Sequence, residues 1–497
     1  MTEFVSGNQA EIFLNGNECL SKLLERLDLA RHHIHIETMA FNNDKTIRQV
    51  ADLLMNKSQL ESVEVRLLTN FPATDWSIPM LKGTPNNPGD TKLNKPSLSL
   101  PLFDQMRIAG VQVINSHPIS HFGTDAEIIE SKDIDNLIRV YPNIVGPILF
   151  KIKEMILSRY YRREDFDPAE VPIEFQLKQE ELDLKHKVTL PGHLDHRKLI
   201  VIDGKEAFIC TFNMAREYLY EIPFNENLHE NFWLDAMVWL RGPVVNQVQK
   251  LFAERWILSA GDVFTKNFQP SPDDPYTPVL PEEGNMRVKV VGSGYESKEE
   301  NPIRNEMELV LKDRRGQLIN IVNPYVCDGG HGGKAGLMDK LIEASKAGSK
   351  ILLITSDHHL DSPPSRDASQ YRYEKMLKSG INICEYPGRM LHAKLMTVGE
   401  DWATIGSYNF NYRSARRDLE CNAFIISKDF VDQIDAKVIQ PLRKAAESAA
   451  ISNEEPEENH IIGCLDLLAF QGLPNEVKTV LQKRNRSTVF LEDQELM

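Results

Sequence analysis

The chain has 497 residues, of which 41 % are apolar and 26 % are charged, values ordinary for a globular protein of two or three domains. Its 57 basic and 72 acidic residues give a net charge of −15, which argues against a protein that binds nucleic acid over a broad basic face. No run of residues is long and apolar enough to cross a bilayer, and the N-terminus lacks the basic and apolar regions of a signal peptide.

The cysteines and histidines indicate no cofactor. The six cysteines are scattered without the spacing of a disulfide framework, which favours a reducing compartment. No C-x-x-C or H-E-x-x-H pattern occurs, so we expect neither zinc nor another metal. These features predict a cytoplasmic or peripheral membrane protein, and they leave open export without a cleavable signal.

The N-terminal part of the chain alternates between helical and strand patterns. Leucines at helical spacing over 18–31 precede the strand-like HIHIETMAF, and ADLLMN with VEVRLLTN repeats that order. A loop rich in Pro, Asn and Gly is expected over 71–102, before a helix, turn and strand in PLFDQMRIAGVQVINSH. This alternation predicts an α/β fold for the first half.

An insertion is expected at about 118–190, before the next strand pattern. Within it, PILFKIKEMILSRYYRR begins at Pro147 and combines an apolar stripe with several lysines and arginines. Such a basic amphipathic helix can lie in a lipid interface, and it can equally pack over the rim of an active site.

The second half repeats the plan of the first after a proline-rich linker at 266–286. QLINIVNPYV, GLMDKLIEASKAG and SKILLITS give strand, helix and strand, and YEKMLKSGINICEYP again gives helix then strand. An acidic segment, NEEPEEN, precedes short helical patterns in the tail. We therefore expect domains at 1–265 and 287–450, followed by an acidic linker and helical tail at 451–497.

A four-residue pattern occurs twice, once in each half. It lies within DHRKLIVIDGKEAFICTFN and again within LHAKLMTVGEDWATIGSYN, with Lys 2, a hydroxyl residue 15 and Asn 17 positions after His. The matching positions are His196, Lys198, Thr211 and Asn213 in the first copy and His392, Lys394, Ser407 and Asn409 in the second. Agreement at four positions indicates an internal duplication.

Each copy has the pattern of a β-hairpin that carries its chemical groups on one patch. An apolar run leads into a turn at Gly204 or Gly399, and a second apolar run returns. Because side chains two residues apart on a strand share a face, His and Lys point the same way. Two such patches would surround a phosphate with donors, while one imidazole attacks phosphorus and the other protonates the leaving alcohol. No metal is required, since the lysines supply positive charge.

On these residues the chain resembles the phospholipase D superfamily, whose repeated motif is H-x-K-x4-D followed by G-S/T-x-N. The first copy matches through Asp203 but has Cys210 in place of Gly, and the second has Gly399 in place of Asp. HIHIETMAF, LDAMVWLRGPVV and NFNYRSARRDLECN add a resemblance to its cardiolipin synthase-like and bacterial phospholipase D branch. The resemblance covers roughly residues 10–445.

The resemblance implies a role for each motif residue. His196 is expected to be the nucleophile and His392 the general acid. The residues expected to bind the phosphate or contact the substrate are Lys198, Lys394, Asn213, Asn409, Thr211 and Ser407. Glu420, 28 residues after His392, resembles the carboxylate that orients the second imidazole, and Asp235 its first-half counterpart. An ordinary salt-bridge role for the two carboxylates stays open.

The resemblance also implies a fold and a reaction. The fold would be two duplicated phospholipase D-type α/β/α domains around a pseudo-twofold axis, sharing one active site. The expected reaction is phosphodiester cleavage of glycerophospholipids through a phosphohistidine, with release of phosphatidic acid or transfer of phosphatidyl to an alcohol. Alternatives are a cardiolipin synthase-like phosphatidyltransferase, a phosphodiesterase acting on nucleic acid, and a lipid-binding protein without activity. The expected partner is a phospholipid at a membrane surface, with no nucleic acid and no transmembrane segment, and protein partners are not predicted.

Overall fold

A computed structural model describes both halves of the chain. The described residues are 2–70, 100–116, 195–220, 232–259, 264, 269–293, 301–328, 335–361, 363–416, 418–452 and 463–465. The predicted insertion at about 118–190, its basic helix and the acidic segment NEEPEEN lie outside the described residues.

The described strands form one continuous sheet of 15 strands. They are β1 Val5–Leu14, β2 His33–Thr38, β3 Glu64–Thr69, β4 Gln112–Asn115, β5 Lys198–Ile202, β6 Glu206–Cys210, β7 Ala236–Arg241, β8 Met286–Ser293, β9 Leu318–Val322, β10 Lys350–Ser356, β11 Ile381–Tyr386, β12 Leu395–Val398, β13 Trp402–Gly406, β14 Glu420–Ile426 and β15 Gly463–Leu465. Strand β1 pairs antiparallel with both β7 and β8, so backbone hydrogen bonds continue from one half of the chain to the other.

The two halves of the sheet have the same strand order. From the central pair outward, the first half runs β1-β7-β6-β5-β2-β3-β4 and the second runs β8-β14-β13-β12-β9-β10-β11. In both halves the outer three of these strands are parallel, and the inner ones are antiparallel. Parallel neighbours need a crossover connection, which the predicted helices between them supply. The predicted α/β alternation is therefore confirmed as a mixed α/β sheet.

Helices cover both faces of the sheet. The described α-helices are α1 Gly16–Asp28, α2 Lys45–Glu61, α3 Leu100–Ile108, α4 Val245–Leu258, α5 Pro302–Asp313, α6 Leu337–Lys346, α7 Pro363–Lys378, α8 Tyr412–Arg416, α9 Lys428–Ile434 and α10 Gln440–Ser452. On one face, α4, α9 and α10 close a core shared by both halves. On the other face, α1 to α3 close one core and α5 to α7 close another. None of the described helices combines the length and apolar character needed to cross a bilayer.

Helix α2 illustrates how the sequence sets an element. Its N-cap Asp44 accepts hydrogen bonds from the N–H groups of Thr46 and Ile47 at 3.0 Å each, an arrangement that stabilises a helix by about 1 kcal/mol. The apolar residues at helical spacing face the sheet and are buried: Ile47, Val50, Ala51 and Leu54. The helix ends where Ser62 adopts a left-handed backbone with φ 56°.

Two observations in the C-terminal part differ from expectation. Within the tail, where short helical patterns are expected, Gly463–Leu465 forms β15, antiparallel to β11, and residues 466–497 lie outside the described residues. An edge strand such as β11 otherwise leaves a row of backbone N–H and C=O groups without a strand partner. Cys384 on β11 is disulfide-bonded, although cysteine spacing predicts no disulfide. Strand pairing sets Cys384 opposite Cys464, an approach that spacing along the chain does not reveal.

Candidate active site

Both four-residue patterns lie on β-hairpins, as predicted. Strand β5 pairs antiparallel with β6, and β12 pairs with β13 in the same way. Lys198 is the first residue of β5, and Thr211 directly follows β6. Lys394 directly precedes β12, and Ser407 directly follows β13. The hairpins thus bring the lysine and the hydroxyl residue of each copy to the same end of their two strands.

Each imidazole is held by a carboxylate from the other half of the chain. The Nδ1 atom of His196 lies 3.0 and 2.9 Å from the two carboxylate oxygens of Glu420. The Nδ1 atom of His392 lies 3.0 and 3.2 Å from those of Asp235. The expectation that Glu420 orients the second imidazole and Asp235 the first is therefore wrong, because the pairing is crossed.

The crossed pairing follows from backbone hydrogen bonds between the halves. The N–H of His196 donates to the carbonyl of Leu419 at 2.9 Å, and the N–H of His392 donates to the carbonyl of Leu234 at 2.8 Å. Each of these leucines directly precedes one of the carboxylate residues. The strand that follows each carboxylate therefore starts beside the histidine of the other half.

The hydroxyl residues of the repeated pattern position the carboxylates. Thr211 Oγ1 donates to Asp235 at 2.7 Å, and Ser407 Oγ donates to Glu420. A further hydroxyl, that of Ser414, also donates to Glu420. Because Thr211 and Ser407 are fully buried and their hydroxyls are used in this way, the geometry supports a positioning role instead of the predicted substrate contact.

The lysines converge on the same buried volume. Lys198 Nζ donates to the carbonyl of His196 at 2.7 Å. Lys394 Nζ donates to the carbonyl of His392 and, at 3.4 Å, to that of Thr211 in the other half. The two ammonium groups also influence each other, since the charge of Lys198 lowers the pKa of Lys394. The predicted cations of both copies therefore belong to one site.

The asparagines retain unused hydrogen-bonding capacity. The amide oxygens of Asn213 and Asn409 have no hydrogen-bond partner in the described part of the chain, although the residues are only 3 % and 6 % exposed. The amide nitrogen of Asn213 donates to the hydroxyl of Tyr218 at 3.3 Å. Buried amides are normally satisfied, so this matched pair points to a polar ligand between the halves.

Burial sets the protonation of the site. It lowers the pKa of His392 to about 4, and with the neighbouring charge of Lys198 it lowers the pKa of His196 well below the ordinary value. Burial also lowers the pKa of Lys198 to about 8 and that of Lys394 to about 7. The pKa of Glu420 is raised to about 7, again by burial. At neutral pH both imidazoles are therefore neutral, and an incoming anion would favour the charged form of the lysines.

Three aromatic rings surround His392. The ring centroids of Trp233, Tyr218 and Tyr325 lie 5.1, 5.2 and 6.3 Å from the centroid of its imidazole. The hydroxyl of Tyr325 donates to Asp361 at 2.5 Å. Sequence reasoning missed these residues, because they lie outside the four positions that repeat.

The surroundings of His196 are polar instead. Within the described residues its imidazole has no aromatic ring contact, and the charges of Asp418 and Arg413 act on its pKa. These two residues form a salt bridge at 2.7 Å. Aligning the two halves of the sequence position by position could have revealed that the residues around His392 are aromatic and those around His196 are polar.

The motif position that holds Asp203 in the first copy and Gly399 in the second lies at the turn of each hairpin. Asp203, with φ 54°, accepts hydrogen bonds of 2.7 to 3.0 Å from the backbone N–H groups of Arg31, His32 and His33. Gly399 takes the matching turn with φ 67°, and Asp401 forms an ion pair with Arg314 nearby. Asp203 therefore stabilises a turn.

Cys210 and Gly406 occupy matching positions with different packing. A Cβ at Gly406 would lie 2.2 Å from the carbonyl oxygen of Cys421, so a side chain there requires the backbone to move. Cys210 is buried at 2 % exposure as the last residue of β6, where the first half accommodates its side chain.

One group of possible metal ligands lies in the described part of the chain. Asp357, His358 and His359 follow β10, with ligand atoms within 4.8 Å of one another. The Nδ1 atoms of His359 and His358 lie 2.7 and 3.2 Å from the carboxylate oxygens of Asp357. None of these three residues belongs to the repeated four-residue pattern, and a metal-free reaction stays a prediction.

Comparison with known proteins supports the interpretation of the repeated pattern. Residues 316–440 match a family model described as the PLD-like domain of cardiolipin synthase. This range contains the second hairpin with His392 and Ser407, and it contains Glu420.

Two relatives that align with most of this chain are cardiolipin synthases. A cardiolipin synthase from Geobacillus kaustophilus is 23 % identical over 439 residues, which cover 88 % of this chain and 67 % of that protein. Cardiolipin synthase 2 from Bacillus cereus is 25 % identical over 439 residues, covering 87 % and 64 %. The chain thus spans about two thirds of the length of these relatives.

A solved structure shares the fold. The phosphatidylserine synthase of Haemophilus influenzae superposes with a TM-score of 0.55 at 13 % identity, covering 99 % of this chain and 96 % of that one. At this identity the similarity shows a common mixed α/β fold.

Proposed function

Because this chain belongs to the phospholipase D superfamily and is cardiolipin synthase-like, we propose that it transfers a phosphatidyl group from a phospholipid to an alcohol. The observation that carries the proposal is the pair of buried imidazoles, each held at Nδ1 by a carboxylate of the other half. With Nδ1 held, the Nε2 atom of each ring is left for chemistry.

In the first step, Nε2 of His196 attacks the phosphorus of the donor lipid. A phosphorus–nitrogen bond forms, and the bond from phosphorus to the head-group oxygen breaks. The bound phosphate anion, together with Asp235, favours the protonated form of His392, which then gives its proton to the departing oxygen. The neutral state of His196 keeps its lone pair available for this attack.

In the second step, an acceptor alcohol attacks the phosphohistidine. Its proton passes to Nε2 of His392, the new phosphorus–oxygen bond forms, and the bond to His196 breaks. Lys198, Lys394 and the amides of the two asparagines stabilise the oxygens of phosphorus in both steps. This set contains the positive charge that the reaction needs, so we propose that no metal takes part.

Transfer is preferred over the hydrolysis that the sequence first predicts. Two relatives that align with 88 % and 87 % of this chain are named cardiolipin synthase, which favours an alcohol over water as acceptor. Hydrolysis uses the same two histidines and is the second candidate. We also propose that the protein acts on phospholipid at a membrane surface, since its substrate would reside there.

We further propose that residues 1–265 and 287–450 are duplicated domains related by a pseudo-twofold axis, with 266–286 as their linker. The identical strand order of the two halves and the crossed imidazole–carboxylate pairs support this division. The site lies where the two halves meet, and each half supplies an imidazole, a lysine and a carboxylate.

The proposal is tested by giving the purified protein phosphatidylglycerol vesicles with and without an added alcohol. We expect phosphatidyl alcohol to exceed phosphatidic acid. Enzyme denatured at alkaline pH during turnover, where a phosphorus–nitrogen bond survives, should carry a phosphatidyl group on His196 by mass spectrometry. His196→Ala and His392→Ala should each lower turnover by at least about 100-fold, the effect of losing a nucleophile or general acid. Lys428→Ala on the exposed side of α9 is the matched control. Full turnover in either histidine variant would disprove the two-histidine reaction.

A further inference from the structure

The walls around the two imidazoles differ at matching positions of the two halves. One member of each pair is aromatic and lies beside His392, whereas the other is small or polar. The pairs are Tyr218 and Ser414, each 7 residues after the hydroxyl residue, Trp233 and Asp418, each 2 residues before the carboxylate, and Tyr325 and Ala40, each directly before a bridging residue. We call Tyr218, Trp233 and Tyr325 the aromatic wall. The surroundings of His392 therefore differ in chemistry from those of His196, which suggests different contacts with the substrate.

The aromatic wall faces the alcohol. This step rests on the proposed function, in which His196 is the nucleophile. Displacement in line with the attacking nitrogen places the leaving and entering alcohols on the opposite side of phosphorus, next to the general acid His392. The residues around His392 therefore contact the alcohol, whereas those around His196 do not.

A carboxylate stands beside this wall. Asp361 is exposed, and its neighbour Leu360 is anchored at 5 % exposure in the core closed by α1 to α3. Asp361 accepts a hydrogen bond from the hydroxyl of Tyr325, whose ring centroid lies 6.3 Å from that of His392. A negative charge so close to a phosphate site opposes binding of the anion. Its position is explained if the carboxylate accepts a hydrogen bond from the substrate.

We propose that Asp361 and Tyr325 form an alcohol subsite that recognises a vicinal diol or a longer polyol. One hydroxyl of the alcohol reacts at phosphorus, and a second donates to the Asp361 oxygen that Tyr325 does not contact. The Tyr325 hydroxyl holds the other oxygen at 2.5 Å, which fixes the direction of the carboxylate. The rings of Tyr218 and Trp233 pack against the carbon chain of the alcohol.

The surrounding charge argues for a neutral alcohol over an amino alcohol. Lys198 and Lys394 lie in the same site and become fully charged when phosphate is bound, so they repel a cationic head group. Tyr325 stays a donor at every working pH, because burial and the charge of Asp361 raise its pKa well above the ordinary value. One carboxylate oxygen of Asp361 thus already accepts from Tyr325, and the other suits a single hydroxyl donor.

The test is a competition between acceptor alcohols. Wild-type protein receives phosphatidylglycerol vesicles with equal concentrations of deuterated glycerol and 1-propanol. Deuterated phosphatidylglycerol, which differs in mass from the donor lipid, and phosphatidylpropanol are quantified by mass spectrometry. Losing one hydrogen bond to a charged group should lower the glycerol-to-propanol ratio by about 10- to 100-fold in Asp361→Ala. Tyr325→Phe should lower the ratio less, because the carboxylate remains. Glu374→Ala, on the exposed side of α7, should keep the wild-type ratio.

Three other results would contradict the alcohol subsite, the recognition of a hydroxyl, or the proposed function. An unchanged ratio in an active Asp361→Ala protein would overturn the alcohol subsite alone. Preference for ethanolamine over glycerol in the wild-type protein, lost in Asp361→Ala, would show that the carboxylate recognises a cation instead. If the wild-type protein neither transfers phosphatidyl nor releases head group, the proposed function fails and this inference fails with it.

Discussion

At the scale of single residues, the crossed carboxylates make opposite kinetic predictions. In the proposed reaction, Asp235 supports His392 as the general acid, whereas Glu420 supports His196 as the nucleophile. A p-nitrophenyl phosphodiester has a leaving group that needs no protonation. We therefore expect the first-step burst of p-nitrophenol to survive in Asp235→Asn and to be lost in Glu420→Gln, although both variants lower turnover on phospholipid by about 100-fold or more.

The measurement is a rapid-mixing burst at 400 nm (about the absorbance maximum of p-nitrophenolate) on the two variants and on Lys428→Ala as control. If the burst instead survives in Glu420→Gln and is lost in Asp235→Asn, the catalytic roles of the two histidines are exchanged. Equal loss in both would mean that the carboxylates act only on folding.

The repeat in the sequence predicted the positions of the site but not its pairing. Spacing alone identified His196 and His392, because the chemistry repeats at fixed intervals along the chain. It could not assign Glu420, since the partner of a strand end depends on how β1 and β8 join the two halves. The aromatic residues beside His392 were missed for a related reason. Residues such as Tyr325 have a counterpart of a different type in the other half, so they do not appear in the repeated pattern.

At the scale of elements, the turn of the first hairpin depends on one carboxylate. Asp203 accepts hydrogen bonds from three successive backbone N–H groups at the start of β2. Asp203→Ala should lower the free energy of unfolding by about 1–3 kcal/mol, because these donors lose their acceptor. The measurement is urea unfolding together with turnover per folded molecule.

The second hairpin supplies the matched control for that change. Gly399 takes the same turn without a side chain, so Asp401→Ala should leave the backbone hydrogen bonds of its turn intact. A large loss of turnover in Asp203→Ala at unchanged stability would contradict the structural role.

Elements with a strong local pattern were predicted correctly, and one without it was not. The apolar runs of β5 and β6 on either side of a glycine turn specify a hairpin by themselves, and the predicted helix at ADLLMN lies within α2. Strand β15 is only three residues long. Its conformation comes from the open edge of β11, and a window of sequence contains no information about that edge.

At the scale of the whole molecule, the buried histidine makes stability depend on pH. The pKa of His392 is lowered to about 4 by burial, against 6.5 in the unfolded chain. The neutral imidazole therefore contributes about 3 kcal/mol to the free energy of unfolding. This contribution is complete above about pH 6.5 and is lost as the pH falls toward 4. Burial raises the pKa of Glu420 from 4.5 to about 7. Between these two pH values, ionisation of Glu420 lowers the free energy of unfolding as the pH rises.

The prediction is checked by urea unfolding of the wild-type protein and of His392→Gln at pH 7 and pH 4. The free energy of unfolding should fall less between these pH values in the variant, by about 3 kcal/mol. Glu420→Gln is the companion variant and should change the slope in the other direction. Parallel pH profiles for all three proteins would show that the imidazole does not titrate with folding.

The exchange of carboxylates between the halves bears on how such a protein can diversify. A shorter ancestor with one hairpin would need a second copy of itself to complete either histidine–carboxylate contact, and every mutation would then alter both walls at once. Fusion into one polypeptide removes that constraint. Selection can then remodel the surface that meets an incoming alcohol while the surroundings of the nucleophile stay as they were.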